Sequence, residues 1–440
     1  MPSETLTRSP GAYDGYYRKQ VAEPDIFLCG VGRGTPGGEY LRRYWHPVAY
    51  LDELGELPLR VRALGEDLVA FRNGRGEVGV LHLHCCHRNT SLEFGIVEQT
   101  GLRCCYHGRL FAPDGTLLEI PGDPNEERLK CEVTQGGYPT HVFAGIVFVY
   151  MGPPNDIPAF PMLDRFDVPG VRLVPGVRLE LECNWVQIKE NVVDPHHTNI
   201  LHVIPQRRGV EHFADEFEGF PEITFMETPA GCMYLAARRS GDNIWVRSAE
   251  FYGPTIHCIS SIFEGGIEAK AATPPFITFF TLPVDDENSI NFFISHVSDE
   301  EDIPFEKRRA LEVFGQHEDR PYTERQYLPG DHEAQVGQGK INPIALEHLG
   351  THDRGIVMFR RFVRMGIKAV SNGKDPVGFY RTAAELPPTF ANDRVVPISE
   401  LAGSPDDPAV LLKLADDIGA DYLLNPPIHT LRAMRAETAR

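Results

Sequence analysis

Cys85-Cys86-His87 and Cys104-Cys105-Tyr106-His107 constrain this chain more than any other feature. They spell C-x-H, a sixteen-residue gap and C-x-x-H, so two short loops each bring one thiolate and one imidazole toward a common centre. Two chemistries accept such a donor set. Zinc takes two Cys and two His tetrahedrally, whereas one type of [2Fe-2S] cluster takes two thiolates on one iron and two imidazoles on the other. The single-residue C-x-H spacing differs from that of zinc motifs, which open with two cysteines and close on a spaced His pair. The flanks favour the cluster. Gly108 follows the second His, Asp114-Gly115 reads as a hairpin turn, and Pro121-Gly122 supplies a further bend. Turns of this kind offer backbone N–H groups to inorganic sulfide.

A second motif lies further along: Asp194-Pro195-His196-His197-Thr198-Asn199-Ile200-Leu201-His202. A mononuclear Fe(II) that activates oxygen is held by two His and one carboxylate, with positions left open. His197 and His202 are five residues apart, which on a regular α-helix separates them by about 140°. A bulge, kink or helix end is therefore expected between them. Asp194-Pro195 suits a helix start, since Asp caps well and Pro lacks the N–H. Adjacent helical residues diverge by about 100°, so His196 is assigned behind the site or at the surface. Spacing alone does not select the third ligand among 62 acidic residues.

CCHRNTSLEFG and LRCCYHGRLFAPDG resemble the Rieske domain of the aromatic-ring-hydroxylating oxygenases, with Cys85 and Cys104 as thiolate ligands and His87 and His107 as imidazole ligands. Asn191-Val192-Val193-Asp194 before the His pair resembles the N-x-x-D-x-x-H-x-x-x-x-H signature of the same family. That resemblance implies that His197 and His202 bind the mononuclear iron and that Asn191 supports them. It also implies that Asp194 bonds to His197 and bridges to His107 or His87 of a neighbouring subunit for electron transfer. PGDHEAQVGQG resembles the phthalate dioxygenase branch and selects Asp331 as third ligand. The competing reading of Asp331 is a helix cap; Glu333 and then Asp353 are the alternative ligands. Two departures from the family pattern stand out: Cys86 in place of Pro, and Arg109 in place of Trp on a surface expected to meet a reductase or another subunit. Cys86 and Cys105 are expected as buried free thiols.

The resemblance implies an α+β fold, in which an all-β Rieske [2Fe-2S] domain precedes a helix-grip (START/Bet v 1-like) catalytic domain. It further implies a head-to-tail homotrimer or a multiple of it. Electrons from NADH would arrive through a separate flavin or iron–sulfur reductase, with or without a ferredoxin. O₂ is the co-substrate, and the small substrate is an aromatic carboxylate or aryl ether, hydroxylated or O-demethylated. Two other classes compete: a Rieske-type electron carrier, which leaves the His197/His202 motif unexplained, and a zinc-stapled binding module.

Charge bears on those alternatives. A formal net charge of −19 argues against nucleic acid and against anionic membrane surfaces. The polar N-terminal stretch lacks a signal-peptide core and no apolar run reaches a membrane span, so a cytoplasmic protein is expected. Seven cysteines beyond the cluster pair, without regular spacing, suit a reducing compartment. GVGRGTPGG has no preceding strand and reads as a turn rather than a dinucleotide site. A substrate carboxylate would call for a buried Arg; Arg207-Arg208 are candidates, with solvated surface as the competing reading.

Periodicity suggests a compact β domain over 44–154, followed through a Pro-rich linker by a mixed region over 155–440. The resemblance implies that these are the Rieske and catalytic domains and that residues 1–43 pack on the latter. A helix is expected over Glu39 to Trp45 and another over Trp185 to Val193. Strands are expected at VRLELEC, ITFMET, GCMYLAARR, NIWVRSAEFY, PTIHCISSIF, FITFFTLPV and NFFISHV. Further helices are expected near Phe305 to Gln316, Ala345 to Gly350, Asp353 to Met365 and Ala409 to Leu414.

Overall fold

The computed structural model describes residues 19–209, 217, 219–260, 275–299, 320–383 and 387–438. The expected helix from Phe305 to Gln316 lies outside them.

Three small antiparallel sheets come first. Trp45–Tyr50, Ile146–Tyr150 and Thr140–Phe143 form one; Leu59–Ala63, Glu66–Arg72, Val78–His82 and Gly137–Tyr138 form a second. The third consists of the short strands Ile96–Val97, Leu102–Arg103, Leu110–Phe111 and Leu117–Glu119; the second Cys/His loop joins its two middle strands, and the first lies in the connection from Val78–His82 to Ile96–Val97. Leu81, Leu83, Leu92, Leu102 and Phe111 bury together beneath those loops, so the loops stand on a packed floor.

Beyond residue 170 the chain builds one antiparallel sheet whose strands follow the order Val171–Leu181, Ser289–Ser298, Ile277–Pro283, Ile256–Ile259, Asn243–Tyr252, Gly231–Ser240, Glu222–Thr228, with Arg394–Pro397 pairing to Asn243–Tyr252. Both faces of the central strands are buried, by helices on each side or, for Ile277–Pro283, by a helix and the sheet of Trp45–Tyr50, hence their continuous apolar runs. Helix Arg354–Ser371 packs on one face: Phe359, Val363 and Ile367, spaced by four, form its buried stripe, and Phe359 meets Phe251 and Trp185 edge-on. Helix Pro408–Leu424 covers the other face through Leu411, Ala415 and Ile418. An antiparallel sheet with segregated helices is the expected α+β arrangement.

Several expectations need correction. The helix expected over Glu39 to Trp45 occupies Pro36–Leu41 instead, and Trp45 already starts a strand. Close approach explains the shift: a Cβ on Gly37 or Gly38 would sit 2.4 or 2.2 Å from the carbonyl oxygens of Gly30 and Gly32, so only glycine lets this turn fold back. The Pro-rich stretch read as a linker is packed against the first sheet. The Pro158 carbonyl accepts from the Trp45 indole at 3.1 Å, and Phe160 packs against Phe143, Phe148 and His141. Ala345 to Gly350 holds a single 3₁₀ turn, Ile344–Leu346, after which Glu347 is extended and reaches Arg360. Helix Arg354–Ser371 outruns its expected end because the four-residue apolar spacing continues to Ile367.

Candidate iron centres

In the first cluster loop, Cys85 N–H donates to the Thr90 carbonyl at 2.8 Å and Asn89 N–H returns to the Cys85 carbonyl. The second loop repeats the pattern, with Cys104 N–H to the Arg109 carbonyl at 2.8 Å and Gly108 N–H to the Cys104 carbonyl at 3.1 Å. Gly108 adopts φ +72°, where a Cβ would lie 3.1 Å from the Pro121 ring. The Cys85 and Cys104 thiols are buried and hydrogen-bond to each other. Backbone N–H groups of His87, Tyr106 and His107 point at these sulfurs. The His87 and His107 rings stand exposed, 4.6 Å apart centre to centre. Two inward thiols surrounded by N–H donors, with two adjacent outward imidazoles, are the donor arrangement a two-thiolate, two-imidazole cluster requires.

Gln135 escaped the sequence reading. Its Oε1 accepts from Cys86 N–H at 2.8 Å and its Nε2 donates to the His82 and His84 carbonyls at 2.9 Å each, which fixes the first loop. Cys86 and Cys105 are free but exposed, not buried, because the loop turns their side chains away from the Leu-rich floor. Arg109 is buried beside Cys86, so it is not the docking surface its position suggested.

The second centre forms where a helix ends. Helix Trp185–Val192 is capped by Asn184, whose Oδ1 accepts from Val186 N–H at 3.1 Å. It stops before Asp194, and a 3₁₀ turn spans Pro195–Asn199 with Pro in the first turn and the Asp194 carboxylate accepting from His196 N–H at 3.0 Å. The helix end expected between these residues thus lies just before the His pair: His197 rides the 3₁₀ turn and His202 the turn after it, so their rings converge to 5.1 Å.

Asp331 closes the set. His197 Nε2 lies 3.4 Å from one of its oxygens and His202 Nε2 3.3 Å from the other, and one ligand atom from each of the three lies within 4.8 Å of the others. Burial opposes the Asp331 charge, yet the His202 and His197 imidazoles outweigh it and hold the carboxyl well below the usual range. His197 Nδ1 donates to the Asp194 carbonyl, which leaves Nε2 to face the Asp331 side. The link from Asp194 to His197 therefore runs through its main chain, while its carboxylate caps. Two imidazoles and one carboxylate, half-buried and convergent, match the donor set of a mononuclear non-heme iron.

The alternatives for the third position are occupied elsewhere. Glu333 accepts from Gly330 N–H at 2.8 Å and pairs with Arg320 and Arg325. Asp353 accepts from Gly350 N–H at 2.6 Å. Asp331 opens helix Asp331–Val336, but its side chain turns to the histidines, and the cap of that helix is Glu333. His196 stacks on His352 at 4.1 Å and stays out of the cluster.

A supporting layer fixes these groups. Asn191 Nδ2 donates to Asp331 Oδ1 at 3.0 Å. Gln187 Nε2 donates to the Gln335 and Gly339 carbonyls, which ties the helix before the His pair to the helix bearing Asp331. Arg360 holds Glu190 through two bonds, at 2.5 and 2.9 Å, and Glu347 through two more, at 2.6 and 2.8 Å. Apart from Asn191, these groups escaped the sequence reading, since nothing local marks a bracket between residues 170 apart. Arg207 and Arg208 are exposed, in keeping with the solvated reading, and Arg208 lies over Tyr327 at 4.1 Å. Phe279 and Phe293 stack at 4.9 Å inside an apolar cluster.

Comparison with known proteins identifies the family. Residues 44–137 match the Rieske [2Fe-2S] domain family. The tert-butanol monooxygenase / tert-amyl alcohol desaturase oxygenase subunit of Aquincola tertiaricarbonis is 39% identical over 433 residues, covering 93% of this chain and 91% of that one. The phenoxybenzoate dioxygenase subunit alpha of Ectopseudomonas oleovorans is 35% identical over 390 residues, covering 84% and 91%. Among solved structures, Pseudomonas putida CBB5 NdmA with caffeine superposes with a TM-score of 0.60 at 19% identity, over 77% of this chain and 94% of that one, which bears on the fold alone.

Proposed function

Because this chain belongs to the Rieske non-heme iron oxygenases, as an oxygenase (alpha) subunit, we propose that it uses O₂ and NADH-derived electrons to hydroxylate or O-demethylate an aromatic carboxylate or aryl ether. The observation that carries this reading is the convergence of His197, His202 and Asp331 in the same chain as the paired Cys/His loops. In it, Cys85, His87, Cys104 and His107 hold the [2Fe-2S] cluster, and His197, His202 and Asp331 hold Fe(II). When bound, the cluster supplies electrons singly and the mononuclear iron supplies oxygen activation. The chain's own residues do the positioning. Asn191 orients Asp331, the Asp194 carbonyl orients His197, and the Arg360 bracket stiffens the helix between them.

The remaining assignments belong to the same reading. Asp194 bridges electrons to His197 from His107 or His87 of the next subunit in a head-to-tail homotrimer, a ring that closes by rotation. A separate flavin or iron–sulfur reductase, with or without a ferredoxin, reduces the cluster. Residues 44–154 form the electron-receiving domain and 155–440 the catalytic one, with 1–43 packed on the latter. The enzyme acts in the cytoplasm; among the described residues no helix is long and apolar enough to cross a membrane.

The test is one anaerobic reduction followed by one pulse of O₂, with aromatic acids, methoxy-aromatics and tertiary alcohols as candidate substrates and products read by mass spectrometry. Gain of two oxygens and two hydrogens identifies ring dihydroxylation; gain of one oxygen or loss of CH₂ identifies monooxygenation or demethylation. Oxidation of the tertiary alcohols alone would replace the aromatic reading with the chemistry named for the Aquincola relative. No product from iron-replete protein would overturn the proposed substrate class.

A further inference from the structure

Arg238 and Arg247 carry buried charge that the iron centres do not use. They stand on adjacent strands, Gly231–Ser240 and Asn243–Tyr252, whose register sets Arg238 opposite Trp245 and Ala236 opposite Arg247. Opposite residues share a face, as do residues two apart, so both arginines and Trp245 line one side of the sheet. Their exposures are 1% and 4%. Among the described residues no hydrogen-bond partner reaches Nε or either Nη of Arg238, nor Nε or Nη1 of Arg247. Their guanidiniums lie 5.3 and 5.2 Å from the centre of the Phe217 ring and 5.1 and 6.0 Å from that of Trp245.

Aromatic faces compensate a cation only partly, and a buried charge without a carboxylate or hydrogen bonds is costly. The buried carboxylate of Asp393 attracts both arginines through space but hydrogen-bonds to neither; its oxygens accept from Trp245 Nε1 at 2.9 Å, Ser248 N–H at 3.2 Å and Ser260 Oγ at 2.5 Å. The pair also lies close to the iron-binding turn. Phe217 and Trp245 form one buried cluster with Val203, the residue after His202, and Asn199 donates to the Phe217 carbonyl. The Lys189 amine, whose pKa burial lowers to about 7, lies over Phe279 on the helix that leads to Asn191, with no hydrogen-bond partner among the described residues. Among the described residues, a chain of net charge −19 thus keeps two buried guanidiniums without hydrogen bonds at these atoms inside its catalytic half.

We propose that Arg238 and Arg247 are the anion anchor of the substrate site, taking the carboxylate or sulfonate of an aromatic acid and holding its ring toward His197, His202 and Asp331. Guanidinium matches such oxyanions in a fork geometry that lysine lacks. The inference rests on the oxygenase reading and narrows its substrate to aromatic acids; a neutral substrate would leave the charges bare.

The test separates binding from turnover. Calorimetric titration of iron-loaded, anaerobic protein with a panel of benzoates, their methyl esters and the matching sulfonates should give tighter binding of at least one acid than of its ester. Loss of hydrogen bonds to one charged group should weaken that acid roughly 10- to 100-fold in Arg238→Met and Arg247→Gln, with Arg247→Lys intermediate. The unliganded variants should melt no lower than the parent, since each loses an unpaired buried charge. Carboxylate and sulfonate arms show which oxyanion the site prefers. Acids that bind no tighter than their esters, or variants that melt lower yet bind acids unchanged, would overturn the anchor and make the arginines structural. Acids that bind through the arginines but are never oxidised would leave the anchor standing and remove the proposed reaction. Oxidation that ignores the arginines would do the reverse.

Discussion

Replacing Arg360 with Met tests whether the layer behind the iron site acts as argued. The Arg360 side chain is 10% exposed, with Glu190 at 7% and Glu347 at 18%, and its four short bonds join the helix before the His pair to Arg354–Ser371. Removing the cation strands two carboxylates in a poorly solvated pocket. Breaking a buried pair from one side costs about 3–5 kcal/mol, most of it from the charge left behind. Urea unfolding followed by tryptophan fluorescence would read the loss, since Trp185 is buried on the same helix as Glu190. Adding Glu190→Gln and Glu347→Gln should return most of that cost, because the stranded charges leave with the cation. Function should respond separately: Asn191 follows Glu190 and donates to Asp331, so Arg360→Met should also weaken iron retention at the mononuclear site. A loss below about 1 kcal/mol would show a solvated bridge of surface strength and refute the reasoning. So would a triple variant as unstable as the single one.

Other outcomes follow from the same structure. Gln135→Ala removes three hydrogen bonds that fix the first cluster loop, so the visible absorbance of the reconstituted cluster should decay faster than in the parent at the same temperature. Gly108→Ala forces a side chain into φ +72° against Pro121, at a cost of roughly 1–2 kcal/mol, and should lower cluster yield on reconstitution. Burial raises the Glu250 pKa to about 8, where it accepts from Phe390 N–H and Thr228. Its folded pKa lies above its unfolded one, so its contribution to stability is full below the unfolded value and is lost as pH rises toward 8. Glu250→Gln should therefore flatten the fall in stability between pH 5 and 8, measured by denaturant unfolding. Asp194→Ala should leave both centres loaded with iron while product formation in the single-turnover assay collapses.

What was legible in the sequence was whatever chemistry had to be written locally. The C-x-H and C-x-x-H loops and the five-residue gap between His197 and His202 are short-range statements, and the angle that gap makes on a helix already called for a bulge, a kink or a helix end. Asp331 is different: spacing could not choose it, and family resemblance did, while the structure shows Glu333 occupied by a helix cap and two arginines. The supporting groups were illegible because their partners are distant. Gln135 serves a loop some fifty residues before it, and Glu190 meets Arg360 across 170 residues. Arg238 and Arg247 looked like ordinary strand residues until the register placed both on one buried face. The packing of the Pro-rich stretch was illegible in composition, which suggested a linker without showing that Phe160 anchors it.

The most direct measurement of the central claim is iron and acid-labile sulfide per chain in the reconstituted parent and in Asp331→Ala. Two centres of the assigned kinds predict three irons and two sulfides in the parent, falling to two irons and two sulfides in the variant with the cluster's reduced EPR signal unchanged. Zinc in place of iron, or a variant that keeps the third iron, would contradict the assignment of His197, His202 and Asp331 as the oxygen-activating site.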